Sequence, residues 1–101
     1  MTVDFNYKLK LLRDNSSGDE NFDQLLGKLL EATLSQQQRR LRQYERDLQE
    51  FEQRFEMKSP IFYRRFEAGE LGDEMDFFEW AGLYELYQKV QSKVERLEQT
   101  V

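Results

Sequence analysis

No cysteine and no histidine occur in the 101 residues. Without thiols the chain forms no disulfide, no thiolate zinc site and no cysteine nucleophile. Without imidazole it lacks the usual general base and the commonest transition-metal ligand. Proline appears once, at Pro60. No apolar run approaches the roughly 20 residues that span a bilayer, so no membrane segment is expected. The opening Thr2-Val3-Asp4-Phe5 has neither the basic start nor the apolar block of a secretory signal, which sets the expectation of a cytoplasmic protein. The length is that of a single domain, 1–101, small for a self-sufficient core.

What is abundant is charge, at 35% of residues against 39% apolar, a composition of long solvated helices. The net charge is −5, and residues 59–79 alone hold two arginines against six carboxylates. Such a chain is a poor nucleic-acid binder, because phosphate contacts need clustered Lys and Arg.

Leu34, Leu41, Tyr44, Leu48, Phe51 and Phe55 recur at alternating spacings of four and three, with only Gln37 interrupting. The residues between are Gln, Arg and Glu, all good helix formers. This is the 3.5-residue repeat of a helix burying a narrow stripe against a second helix. A matching seam, Trp80, Leu83, Tyr87, Val90, Val94, Leu97 and Val101, lies near the C-terminus. The spacing predicts a mainly α, antiparallel coiled-coil hairpin of helices over 19–58 and 73–99. Ser59-Pro60 stops the first and starts a short connector helix over 59–68, with Ser59 as its expected cap and Gly69 as its end. Ser17 or Asp19 is the expected cap of the first long helix, and Asp73 or Asp76 that of the last.

Residues Thr2 to Leu11 alternate without a fault, within a segment 1–12. Val3, Phe5, Tyr7, Leu9 and Leu11 fall on one side, and a helical template fits only Phe5, Leu9 and Leu12. The pattern predicts one N-terminal β-strand. A lone strand leaves its backbone groups unpaired. Phe22, Leu25, Leu26, Leu29 and Leu30 then form an apolar face broader than the later seam. Together these predict a homodimer, a four-helix arrangement with strands paired across a twofold axis. Val3, Phe5, Tyr7, Leu9, Phe22, Leu26 and Leu29 would form its contact.

Candidate chemistry is thin. Glu67, Glu70, Asp73, Glu74, Asp76 and Glu79 could only bind a divalent metal by converging on one point, and their spacing matches no calcium loop. A capping role for carboxylates near a helix start outweighs that reading. A thin hairpin supplies no catalytic cleft. Neither catalysis nor a cofactor is expected. Arg39, Arg42 and Arg46 share a helix face, but Glu45, Asp47, Glu50 and Glu52 dilute the field, so a solvated flank outweighs a nucleic-acid stripe.

The aromatics carry more information. Ten of fourteen lie between Phe51 and Tyr87, at the turn end of the hairpin. Most would plug the core, and the surplus would form a patch for a protein partner. With the acidic connector, this nominates Tyr63, Arg64, Arg65, Glu67, Glu70, Asp73, Phe78 and Trp80 as partner-binding residues.

The block Phe62-Tyr63-Arg64-Arg65-Phe66-Glu67-Ala68-Gly69-Glu70-Leu71-Gly72-Asp73, followed by Asp76-Phe77-Phe78-Glu79-Trp80-Ala81-Gly82-Leu83-Tyr84-Glu85, resembles one in small cyanobacterial and archaeal antitoxin-like proteins encoded beside a small toxin. It covers about a third of the chain. The resemblance implies a non-enzymatic module that sequesters a cognate toxin-like protein. The alternatives are a structural coiled-coil homo-oligomer with no dedicated ligand and, further off, a nucleic-acid binder using the arginine face.

Overall fold

The computed structural model describes residues 5–14 and 19–100. Four helices follow in order: α1 (Phe5–Asp14), α2 (Asp19–Phe55), α3 (Ser59–Glu67) and α4 (Met75–Thr100). Gln38 Nε2 lies 3.4 Å from Glu98 Oε1 and Arg54 Nη1 lies 3.3 Å from Asp76 Oδ2, which fixes α2 and α4 as antiparallel. The hairpin expected from the two seams is therefore present. Leu48, Trp80, Ala81, Val90 and Val94 are buried along it. Gln37 breaks the stripe as its position implies: its Oε1 is buried without a hydrogen-bond partner among the described residues.

The molecule measures 60 × 30 × 18 Å and its radius of gyration is 19.7 Å. A compact chain of this length would have a radius near 13 Å. Two paired rods therefore hold the fold together along one seam, with little interior to share.

The helix ends follow from local backbone chemistry. α2 stops at Phe55 because Glu56 adopts φ +52°, a left-handed conformation. The Met57 N–H then reaches back to the Glu52 carbonyl at 3.2 Å, the six-to-one bond of a Schellman end. α3 ends in the same way with a better suited residue. Gly69 has φ +72°, its N–H donates to the Phe66 carbonyl, and the Glu70 N–H donates to the Arg65 carbonyl. α4 opens after Glu74, whose carbonyl accepts from Phe77 and Phe78. The expected caps Asp73 and Asp76 lie one residue before it and in the first helical turn, respectively.

The N-terminal strand is corrected. Residues Phe5–Asp14 form a helix, and no strand occurs among the described residues. With no second strand to pair with, a helix satisfies the backbone within the segment itself. Leu9, with Asn6, Lys10 and Arg13, lines a groove shared with Phe22 and Leu26 at the start of α2, and the Arg13 guanidinium sits over the Phe22 ring at 5.3 Å. The alternation that mimicked a strand now leaves Phe5, Tyr7 and Leu11 exposed. Pairing of strands across a twofold axis is accordingly withdrawn. Val3 and Ser17 lie outside the described residues.

Candidate partner-binding surface at the turn end

Trp80 is the centre from which this end is built. Its indole is fully buried and stacks on Phe62 with centroids 3.7 Å apart and planes within 6°. Phe51 and Phe55 lie near parallel to it at 5.6 Å each. Phe77 bridges Phe55 and Phe62 at 5.2 and 5.8 Å. Rings from α2, α3 and α4 thus meet in one cluster, of the kind worth about 0.5–1.5 kcal/mol per pair beyond area burial.

A buried polar chain locks the cluster in register. Trp80 Nε1–H donates to Ser59 Oγ at 3.0 Å, and the Ser59 N–H donates to Glu52 Oε2 at 2.8 Å. Lys58 Nζ stands 3.9 Å from the other Glu52 oxygen. Ser59 is therefore not the side-chain cap of α3. It is the first helical residue, behind Lys58, and its hydroxyl turns inward to satisfy the indole. The Glu52 carboxylate, reaching from α2, takes up the N–H that α3 leaves open at its start.

With so much turned inward, what remains outside is well defined. Met75 is 71% and Phe78 53% exposed, and Ile61 and Leu86 are also exposed. Met75, Phe78, Gly82 and Leu86 recur at spacings of three, four and four. That places them on one face of α4, away from Phe77, Trp80, Ala81 and Tyr84. Phe78 is steadied edge-on by Phe66 at 5.3 Å.

Of the expected partner-binding residues, Trp80 is corrected: it has no surface to offer. Phe78 is on the surface, as are Arg64, Glu67 and Asp73. Arg65 and Glu70 are exposed but paired with each other at 3.4 Å. Tyr63 is half-buried, tilted against Tyr84 at 5.2 Å, and its hydroxyl donates to Glu85 Oε1 at 2.6 Å. That bond first, and one to Glu67 second, hold its pKa far above the ordinary tyrosine value. Arg54 pairs with Asp76 at 3.3 Å while its guanidinium lies over the Phe51 and Phe55 rings.

Two features escaped the sequence. One is the outward stripe of Met75 and Leu86, on the side of α4 away from the seam that Trp80 opens. The other is a cleft between α2 and α4 beside the start of α3, lined by Glu45, Glu52, Ser59, Tyr84, Tyr87 and Gln91. Burial first, and the charge of Glu45 next, push the Tyr87 pKa up. The cleft thus sets the Tyr84 and Tyr87 rings beside the exposed Glu45, while Glu52 is engaged by the Ser59 N–H and Lys58.

At the opposite end Phe22, Leu26 and Leu9 are half-buried between α1 and α2, whereas Leu29, Phe5 and Tyr7 are exposed. Arg39, Arg42 and Arg46 are all exposed, and Arg46 donates to Gln43 Oε1 at 2.7 Å. Among the described residues no group of three acidic side chains could hold a metal ion, and no helix is long and apolar enough to cross a membrane. Comparison with known protein families, curated proteins and solved structures yields no match.

Proposed function

We propose that the chain is a non-enzymatic protein-binding module whose turn end docks on a basic partner, with the sequestering role of an antitoxin as its closest functional analogue. The observation that carries this reading is the pairing of a rigid aromatic plug with Met75 and Phe78 standing open on its surface. An exposed aromatic held by its neighbours loses little freedom on binding, which is the property of an interface anchor. The carboxylates around it, with Glu67, Glu70, Asp73 and Glu74 all exposed, favour a cationic protein and speed its encounter. The cleft of Glu45, Tyr84 and Tyr87 would take a Lys or Arg of that partner.

The same reading includes a homodimer. Its support is no longer a strand but the apolar side chains left open on α1 and the first turns of α2.

The test is co-expression with the product of the neighbouring gene, followed by calorimetric titration. Phe78→Asp and Glu70→Lys should each weaken binding at least tenfold while far-ultraviolet circular dichroism stays unchanged. Should both variants bind as the parent does, the turn end is not the docking surface.

A further inference from the structure

Five of the nine large apolar side chains exposed among the described residues lie at the end remote from the turn: Phe5, Tyr7 and Leu11 on α1, Leu25 and Leu29 on α2. Gln38 stands beside Glu98, so Asp19–Leu30 lies beyond the described part of α4, and α1 packs there instead, over Phe22 and Leu26. Leu25 and Leu29 sit one helical turn apart on the flank of that contact, 53% and 55% exposed. From the geometry we infer that a second copy of the chain covers this end, the two α1–α2 tips pairing about a twofold axis so that the turn ends point away from each other.

The inference rests on the homodimer reading and adds its surface and symmetry. Phe5 and Tyr7 lie about 160° apart around α1, so the five do not share one face, and the contact is centred on Leu25 and Leu29.

Charge distinguishes this end from the other. The described part of α1 holds Lys8, Lys10 and Arg13 against Asp14, and α2 opens with Asp19, Glu20 and Asp23. A twofold axis lays the same patch on itself with the elements exchanged. It thus offers the basic α1 of each copy to the acidic α2 start of the other. The turn end lacks this property: two such ends would bring carboxylates against carboxylates, so that surface suits a different, basic protein. One end is built for its own kind and the other for a stranger, and the pair is a bivalent binder.

Bivalence has a dimension. The free stretch of α2 is about 12 residues, or roughly 18 Å at 1.5 Å per residue. Two rods, each 60 Å long, overlapping by that stretch would span about 100 Å, against about 60 Å for rods packed side by side.

The test uses the whole chain. Sedimentation equilibrium should give twice the chain mass at micromolar concentration, and small-angle scattering a maximum dimension near 100 Å. Leu25→Asp with Leu29→Asp should weaken the dimer at least tenfold while helicity persists, since both side chains are exposed. Tyr7→Glu, on the other helix, should act in the same direction, and Phe78→Asp should leave the dimer intact. A single-chain mass at high micromolar concentration overturns both the homodimer and this surface. A dimer that survives the Leu25, Leu29 and Tyr7 changes, or one no longer than a single rod, overturns this surface alone. Partner capture at the turn end stands or falls separately.

Discussion

Tyr63 shows how a single side chain ties the connector to the hairpin. Its hydroxyl is a donor to Glu85, and a phenolate could not donate, so deprotonation costs the bond and sets two anions 2.6 Å apart. Its folded-state pKa is therefore raised above the ordinary value of 10.0. A raised folded-state value means the native state holds the proton more firmly than the unfolded chain does. The contribution to stability is complete below about pH 10 and is lost progressively above it, as the unfolded chain gives up its proton first. Tyr87, raised chiefly by burial, acts in the same sense. Melting temperatures taken from pH 8.5 to 11.5 should fall more steeply in the parent than in Tyr63→Phe, the two curves converging at the alkaline end. Parallel curves would mean that the Tyr63–Glu85 bond carries no net stability. Ser59 makes the complementary point in the core. Its hydroxyl, reading in sequence as a helix cap, is the acceptor without which the buried Trp80 N–H would have no partner, an omission costing about 1–3 kcal/mol.

At the scale of elements, the long helices were legible because their information is local. Leu41, Tyr44, Leu48 and Phe51 sit at heptad spacing, and no tertiary context is needed to read a stripe. In segment 5–14 two periods overlap. Phe5, Leu9 and Leu12 keep a helical beat beneath an alternation unbroken to Leu11, and the choice between them depends on a pairing strand, of which there is none among the described residues. The α4 seam already places Trp80 inward with Leu83, Tyr87 and Val90 and leaves Phe78 off it, so the nomination of Trp80 as a partner-binding residue runs against the chain's own repeat. The docking of α3 is not legible in this way, because the Trp80–Ser59 and Ser59–Glu52 bonds join residues of three helices. The end of α2 offers a test at this scale. Glu56 holds φ +52° where its counterpart in α3 is Gly69. A left-handed conformation costs a residue with a Cβ about 1–2 kcal/mol, and glycine's added freedom in the unfolded chain returns part of that. Glu56→Gly should therefore stabilise the fold by about 0.5–1 kcal/mol, raising the melting temperature by roughly 2–6 °C. A lower melting temperature would show that the Glu56 side chain makes a contribution larger than the backbone strain.

For the molecule as a whole, the decisive fact is that its buried groups are collected at one end. Phe62, Trp80, Ser59, Leu48 and Ala81 all lie toward the turn, Val90 and Val94 extend the seam, and among the described residues no fully buried side chain lies in α1 or the first half of α2. Opening free energies follow the local density of buried contacts, so a rod packed in this way is graded along its length. Amide hydrogen exchange should find the slowest protons in 45–55 and 77–94, exchanging near the global limit, and fast exchange in 19–30 at dilute concentration. The proposed self-association would leave a signature in the same gradient, because a second copy covering Leu25 and Leu29 would stabilise only the end it binds, by mass action. Raising the protein concentration a hundredfold should slow exchange in 5–14 and 19–30 and leave 77–94 nearly unchanged. Uniform protection along α2 in dilute solution would refute the gradient. A concentration effect confined to the turn end would place the self-contact where Phe78 and Met75 stand.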